Sequence, residues 1–244
     1  DTFGRNTTNG WGSAEIGGTW STTSTASAYS VSGGAGRITM NAGAGRYASL
    51  SSVTQTATDF RASLSLDKAQ TGGGTYVSVV GRRVDGSNDY RVKLRVQAGG
   101  AVTAQLVRVV NGTETVIQSV ATVPGLTWNA GEVLHVRFQV SGTGTTNLAA
   151  KVWKDGTAVP TGWTLSGADQ AAALQSAGGV GIWSYLSGSA TNAPMTLTVD
   201  ELVAGPPFGA FGSTAAAPTR SASKPLSANT SFSSPSRPTP VTVT

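Results

Sequence analysis

The chain has 244 residues, enough for one large all-β domain or two small ones with a real core. Charged residues are only 12% of it, about half the usual share, and cysteine is absent, which excludes a disulfide scaffold and thiolate metal sites. The formal charge of +5 does not indicate nucleic acid: no acid follows Glu201, and removing the late Arg220, Lys224 and Arg237 leaves about +2. No apolar run reaches membrane-spanning length, so neither nucleic acid nor a membrane is an expected partner. A chain that opens on Asp1 without methionine is expected to be processed or to be a piece of a longer protein.

The first twenty residues set two tryptophans among glycines: Asp1-Thr2-Phe3-Gly4-Arg5, then Gly10-Trp11-Gly12, then Gly17-Gly18-Thr19-Trp20. Glycine lets the backbone turn and approach a large ring closely, so the segment predicts an opening strand whose tryptophans close one end of a core. From about residue 57 to 203 the apolar period is two. Phe60, Ala62, Leu64 and Leu66 alternate with polar residues, as do Tyr90, Val92, Leu94 and Val96. Leu134, Val136, Phe138 and Val140 repeat the pattern, and so do Met195, Leu197 and Val199. Turn signals separate these runs: Asp85-Gly86, Gly99-Gly100, Asn111-Gly112 and Asp155-Gly156. One short helix is expected near Asp169–Gln175, capped by Asp169. Strands with one buried and one wet face predict an all-β fold, a two-sheet antiparallel jelly-roll β-sandwich over residues 1–204.

Residues 205–244 have another composition, with seven of the ten prolines among Ser, Thr and Ala. This segment is too polar to build its own core. It reads as an extended C-terminal arm anchored on neighbouring subunits by Phe208, Phe211, Leu226 and Phe232, or as a flexible or glycosylated linker.

Catalytic alphabets are scarce. No G-x-S-x-G, P-loop, G-x-G-x-x-G or H-E-x-x-H occurs. The single histidine, His135, takes a polar position in an alternating strand and reads as a solvent-facing or hydrogen-bonded sheet residue. Glycoside hydrolysis needs two carboxylates facing one bond, and the run E-x-D-x-x-E is missing. Asp200 and Glu201 are adjacent and so are expected on opposite faces, while Asp59 and Asp67 fall at opposite ends of one strand. The expectation is a chain that is not an enzyme. Binding has better candidates: Trp183 and Tyr185 alternate away from Ile182 and Leu186, and Arg82 and Arg91 are placed to donate to sugar hydroxyls beside them. The competing reading covers those rings with a loop or a neighbouring subunit. Arg91, Lys93 and Arg95 otherwise form a solvated strand face. No cofactor is expected, apart from a structural Ca²⁺ for which Asp1 and Asp200 are the candidates if the first and last strands are neighbours. Asp85-Gly86-Ser87-Asn88-Asp89 reads as a hairpin loop rather than a cation site.

An ordered set of motifs runs from D-T-F-G-R and G-W-G-S-A-E-I-G-G-T-W through Gly81-Arg82-Arg83, Asp89-Tyr90-Arg91 and Lys151-Val152-Trp153 with Pro160 and Trp163. It closes on Tyr185-Leu186-Ser187-Gly188-Ser189-Ala190-Thr191-Asn192-Ala193-Pro194 and Val199-Asp200-Glu201-Leu202. Over about residues 1–203 the chain resembles the concanavalin A-like (LamG/glucanase-like) jelly-roll modules of actinobacterial secreted proteins and of minor tail or other virion proteins of actinobacterium-infecting phages. The resemblance implies a non-catalytic structural or adhesive component on a virion surface. Its partners would be other virion subunits or further copies of itself, and host cell-surface glycans. The alternative it leaves is a secreted carbohydrate-binding module with a flexible linker, and the third reading is a glycoside hydrolase.

Overall fold

Alternating Val, Leu and Phe positions give strands wherever the sequence carries them, and the computed structural model, which describes residues 1–23 and 25–207, stacks them in two layers. The strands are β1 (Thr7–Thr8), β2 (Ser21–Thr22), β3 (Tyr29–Ser32), β4 (Ala35–Met40) and β5 (Gly45–Gln55). Then come β6 (Thr58–Leu66), β7 (Thr75–Asp85), β8 (Asn88–Val96), β9 (Val102–Val110) and β10 (Thr113–Val120). The last are β11 (Val133–Ser141), β12 (Thr146–Lys154), β13 (Leu165–Asp169), β14 (Gly178–Leu186) and β15 (Met195–Gly205). One sheet has eight strands in the order β1-β3-β4-β15-β6-β11-β12-β13; the other has seven, β10-β9-β8-β7-β14-β5-β2. All the pairings are antiparallel, so the jelly-roll sandwich expected from the alternation is what forms.

The core lies between the sheets. Phe60, Leu64, Leu134, Val136 and Phe138 from one sheet are wholly buried against Val77, Val92, Leu106 and Ile182 from the other. Each such side chain contributes about 1.5–3 kcal/mol through its burial. The sheets approach closely at Gly81, where a Cβ would lie 2.8 Å from Val140 and 2.9 Å from Phe138.

Phe3, Trp11, Trp20 and Tyr29 close one end of the sandwich, as the opening glycines predict. Trp11 stands edge-on to Phe3 and Trp20 at centroid distances of 5.3 and 4.9 Å. Each indole finds an acceptor: Trp11 Nε1 donates to the Arg37 carbonyl and Trp20 Nε1 to Asp1 Oδ2. The first residues do run beside the last strand, since the Asp1 nitrogen donates to the Leu202 carbonyl at 2.6 Å. The regular pairing partner of β1 is nevertheless β3.

Among several register shifts in the two sheets, two bulges displace candidate site residues from the simple alternation. In β7 the register shifts between Val80 and Arg82; in β15 it shifts between Asp200 and Val203, with Glu201 at φ 49°. The second bulge overturns the expected separation of Asp200 and Glu201. Val199 and Leu202 are both buried in the core, so the two acids between them share the outer face. The expected helix is a single 3-10 turn, Ala172–Leu174, preceded by Asp169 at the end of β13. Its carboxylate accepts the Ala171 N–H, the Tyr90 hydroxyl and Arg108, but the N-cap of the turn is Ala171 and no side chain caps it, so Asp169 is not the expected cap.

Candidate functional site

Trp183 and Tyr185 alternate outward from β14 because Ile182 and Leu186 fill the core. Antiparallel register then sets their neighbours: Tyr185 lies opposite Tyr76 and Trp183 opposite Ser78 on β7. One strand further, Tyr76 faces Arg95, Ser78 faces Lys93 and Val80 faces Arg91 on β8. The rings of Trp183 and Tyr185 are nearly parallel, 13° apart with centroids 6.2 Å apart, and Tyr76 leans on Tyr185 at 5.9 Å. All three are half-buried. With Lys93 and Glu114 they line a shallow depression of about 410 Å³ on the outside of the seven-stranded sheet.

Cations surround this platform. Arg91 lies 5.6 Å from the Trp183 ring centroid, Lys93 5.4 Å from that of Tyr76, and Arg95 5.3 Å from the same ring. Arg83 covers the outward Tyr47 at 4.5 Å and donates to the Ser49 hydroxyl. Such contacts hold the rings without covering them with a further layer of protein. Burial pushes the Arg91 guanidinium down, but the Asp89 carboxylate beside it outweighs that and holds its pKa above the usual value. Burial also drives the Tyr47 hydroxyl strongly up, so it is a neutral phenol.

The acids missing from any sequence motif meet here. Arg91 binds Asp89 through two bonds, Nε to Oδ1 at 2.7 Å and Nη2 to Oδ2 at 2.5 Å, and its Nη1 reaches Glu114 Oε1 at 3.4 Å. Glu114 also binds Lys93. Asp89, Val109 and Glu114 are opposite one another across β8, β9 and β10, so the two acids are two strand spacings apart. That is roughly 10 Å between their Cα atoms. Asp89 and Glu114 are 25 residues apart in sequence and on different strands, and the registers of the β8–β9 and β9–β10 pairs together link them.

Arg82 is not on this face. It is wholly buried at the end of the sandwich, where Nη1 donates to Thr146 Oγ1 and the Leu174 carbonyl, and Nη2 to the carbonyls of Gly142 and Thr56. Burial lowers its pKa. The bulge at Gly81 turns both Gly81 and Arg82 inward, and Arg83 takes the outward place that strict alternation assigns to Arg82. The candidate calcium ligands are engaged elsewhere: Asp1 accepts Arg5, Trp20 and the Phe3 N–H, while Asp200 accepts the Glu201 N–H. Among the described residues no group of three or more acids or histidines is placed to hold a metal. Phe208, Phe211, Leu226 and Phe232, and the proposed arm they belong to, lie outside the described residues.

His135 is hydrogen-bonded on the opposite sheet. Its Nδ1 meets Ser63 Oγ at 3.0 Å, its Nε2 meets Asp155 Oδ1 at 2.8 Å, and its ring stacks on Trp153. A serine, a histidine and an acid are thus in line, but Ser63 is buried and donates its hydrogen to Glu201. No free nucleophile is prepared there.

No protein-family model matches the chain, and no curated protein matches it. Solved structures do match. The GH43 protein BlXynB of Bacillus licheniformis aligns at TM-score 0.54 and 12% identity, over 84% of this chain and 38% of that one. The β-glucanase of Bacillus licheniformis aligns at 0.51 and 12%, over 76% and 90%. A legume lectin-like domain from Entamoeba histolytica aligns at 0.50 and 10%, over 77% and 89%. The chain therefore spans less than half the length of the GH43 protein. At these identities the likeness establishes the fold, a concanavalin A-like jelly roll. It also corrects the expectation that the chain is not an enzyme: the architecture serves a β-glucanase and a GH43 protein as well as a lectin-like domain. A missing E-x-D-x-x-E run does not separate these roles.

Proposed function

We propose that the outer face of the seven-stranded sheet binds carbohydrate, and that acidic polysaccharides are its preferred ligands. The observation that carries this reading is the aromatic platform of Trp183, Tyr185 and Tyr76 beside an open depression edged by Lys93 and Glu114. Aromatic rings take the apolar faces of sugar rings, and the charged side chains around them take hydroxyl and carboxylate groups. Among the described residues four cations, Arg83, Arg91, Lys93 and Arg95, cluster around the platform, where Asp89 and Glu114 pair with Arg91 and Lys93, so a carboxylate-bearing chain is favoured. Affinity electrophoresis through gels containing polygalacturonate tests this. The parent should be retarded, and W183A or Y76A should reduce that affinity about tenfold. An unretarded parent, or variants that bind as tightly as the parent, would overturn the reading.

The Asp89–Arg91–Glu114 arrangement favours a second reading, cleavage of the bound glycan. Glycoside hydrolysis uses two carboxylates about 5–9.5 Å apart, within reach of side chains whose Cα atoms are roughly 10 Å apart. Release of reducing ends from polysaccharides that bind, abolished in E114Q and D89N, would support it; intact polymer after prolonged incubation would sink it. The setting we infer for this face is display on a virion surface or by a secreted protein, and the support for it is the sequence resemblance of residues 1–203.

A further inference from the structure

The opposite sheet carries its own exposed aromatic group. Trp163, in the loop between β12 and β13, is 38% exposed. Two cations lie against its ring, Lys151 Nζ at 4.8 Å and Arg137 at 5.2 Å from the centroid. Both are anchored from the other side. Lys151 is buried and donates to the Pro160 carbonyl at 2.7 Å, which ties down the loop that bears Trp163. Arg137 donates to both oxygens of the buried Asp59 carboxylate. The indole is therefore fixed before any ligand arrives, which reduces the entropy a ligand has to offset.

Trp163 stands between two depressions. One, of about 470 Å³, is edged by Gln139, Ser141, Asn147 and Ser166. Strand register explains its shape: Gln139, Ala149 and Ser166 form one row across β11, β12 and β13, and Ser141, Asn147 and Ala168 form the next. The small alanines leave the room that the polar side chains border. The other depression, of about 590 Å³, runs along Val123, Pro124, Pro160 and Thr161. Both volumes lie within the range of small-molecule sites, about 300–1,000 Å³. The Asn147 amide and the Ser141 and Ser166 hydroxyls have no hydrogen-bond partner among the described residues. No charged side chain lines either depression.

We infer that this groove is a second carbohydrate site, independent of the first, for a neutral polysaccharide that crosses Trp163. A fixed indole, a row of unpaired amide and hydroxyl groups and an uncharged lining match a hydroxyl-rich, uncharged chain. The two faces then differ in charge preference, acidic glycan on the seven-stranded sheet and neutral glycan on the eight-stranded one. A module with both could join two kinds of polysaccharide.

Affinity electrophoresis through gels containing laminarin, glucomannan or dextran, beside the polygalacturonate gel, separates the two sites. The parent should be retarded by at least one neutral polymer, with little dependence on salt. W163A should lose about tenfold in that affinity, and N147A and S166A a few-fold, while W183A keeps it. N147A and S166A change exposed side chains, so they decide the question even where W163A folds poorly. The inference is overturned if no neutral gel retards the parent, or if W163A, N147A and S166A all bind as the parent does. Loss of neutral binding in W183A would overturn it as well. Polygalacturonate binding reports on the other face alone, so either site can fail without the other.

Discussion

Arg82 and Arg83 are neighbours in the chain, yet their guanidinium groups lie on opposite faces of the seven-stranded sheet. Arg82 points inward and is wholly buried, while Arg83 lies outside over the ring of Tyr47. The extra residue at the Gly81 bulge shifts the phase of β7, and glycine is required there because a Cβ would strike Val140 and Phe138. The inward guanidinium ties the β5–β6 turn, the β11–β12 loop and the Ala172–Leu174 turn together through their carbonyls.

R82A should therefore unfold more easily than R83A. Removing Arg82 leaves several buried carbonyls unpaired, at about 1–3 kcal/mol each before relaxation. A loss of about 3 kcal/mol in urea unfolding is the expected result for R82A, against under about 1 kcal/mol for the outward R83A. Equal losses would contradict the phase change at Gly81.

Gly36 lies beneath the aromatic cap, where an added Cβ would be 2.8 Å from Phe3 and 3.0 Å from Trp11. G36A should cost about 1–3 kcal/mol through overpacking and lower Tm accordingly. It should also change the near-ultraviolet circular dichroism of the tryptophans. An unchanged spectrum and Tm would show that the cap is loosely packed.

Asp59 should make stability depend on pH. Burial raises its carboxyl pKa, but hydrogen bonds from Arg137, Arg61 and Gln139 outweigh that and hold it below the usual value. A lowered folded-state pKa stabilises the fold above the ordinary carboxylate value of about 4, and that stability is lost as pH falls through the folded value. D59N should thus be less stable than the parent by about 2 kcal/mol near neutrality. The gap should narrow on acidification below pH about 4. A gap constant across that range would show that the Asp59 carboxylate does not set the pH dependence.

Lys93 and Arg95 sit at the edge of the aromatic platform, Lys93 partly exposed and paired with Glu114. K93A and R95A should each weaken polygalacturonate binding by up to about fivefold and reduce its sensitivity to salt. Affinities measured at several ionic strengths check this. Salt slopes identical to the parent's would confine recognition to the rings.

The period-2 runs placed the core residues of β6, β8, β11 and β15 correctly because a strand with one buried face writes its phase into consecutive residues. The same rule assigned Trp183 and Tyr185 to the outer face, where they lie. It failed at Arg82 and at Asp200 with Glu201 because a bulge inserts one residue and reverses the phase beyond it. Nothing in the local sequence marked Trp163 as a groove wall, since its partners Arg137 and Lys151 come from two other strands.

By itself the sequence determined the all-β class, the antiparallel layering, the aromatic end of the core and the outward direction of the Trp183–Tyr185 pair. Each is a local property, fixed by alternation, turn residues and glycine. Only the tertiary structure decided which side chains meet. Asp89 and Glu114 reach one guanidinium through hairpin register, and Trp163 stands over cations from β11 and β12. Those encounters depend on strand order and bulge position, which are set by the packing of the two sheets against each other.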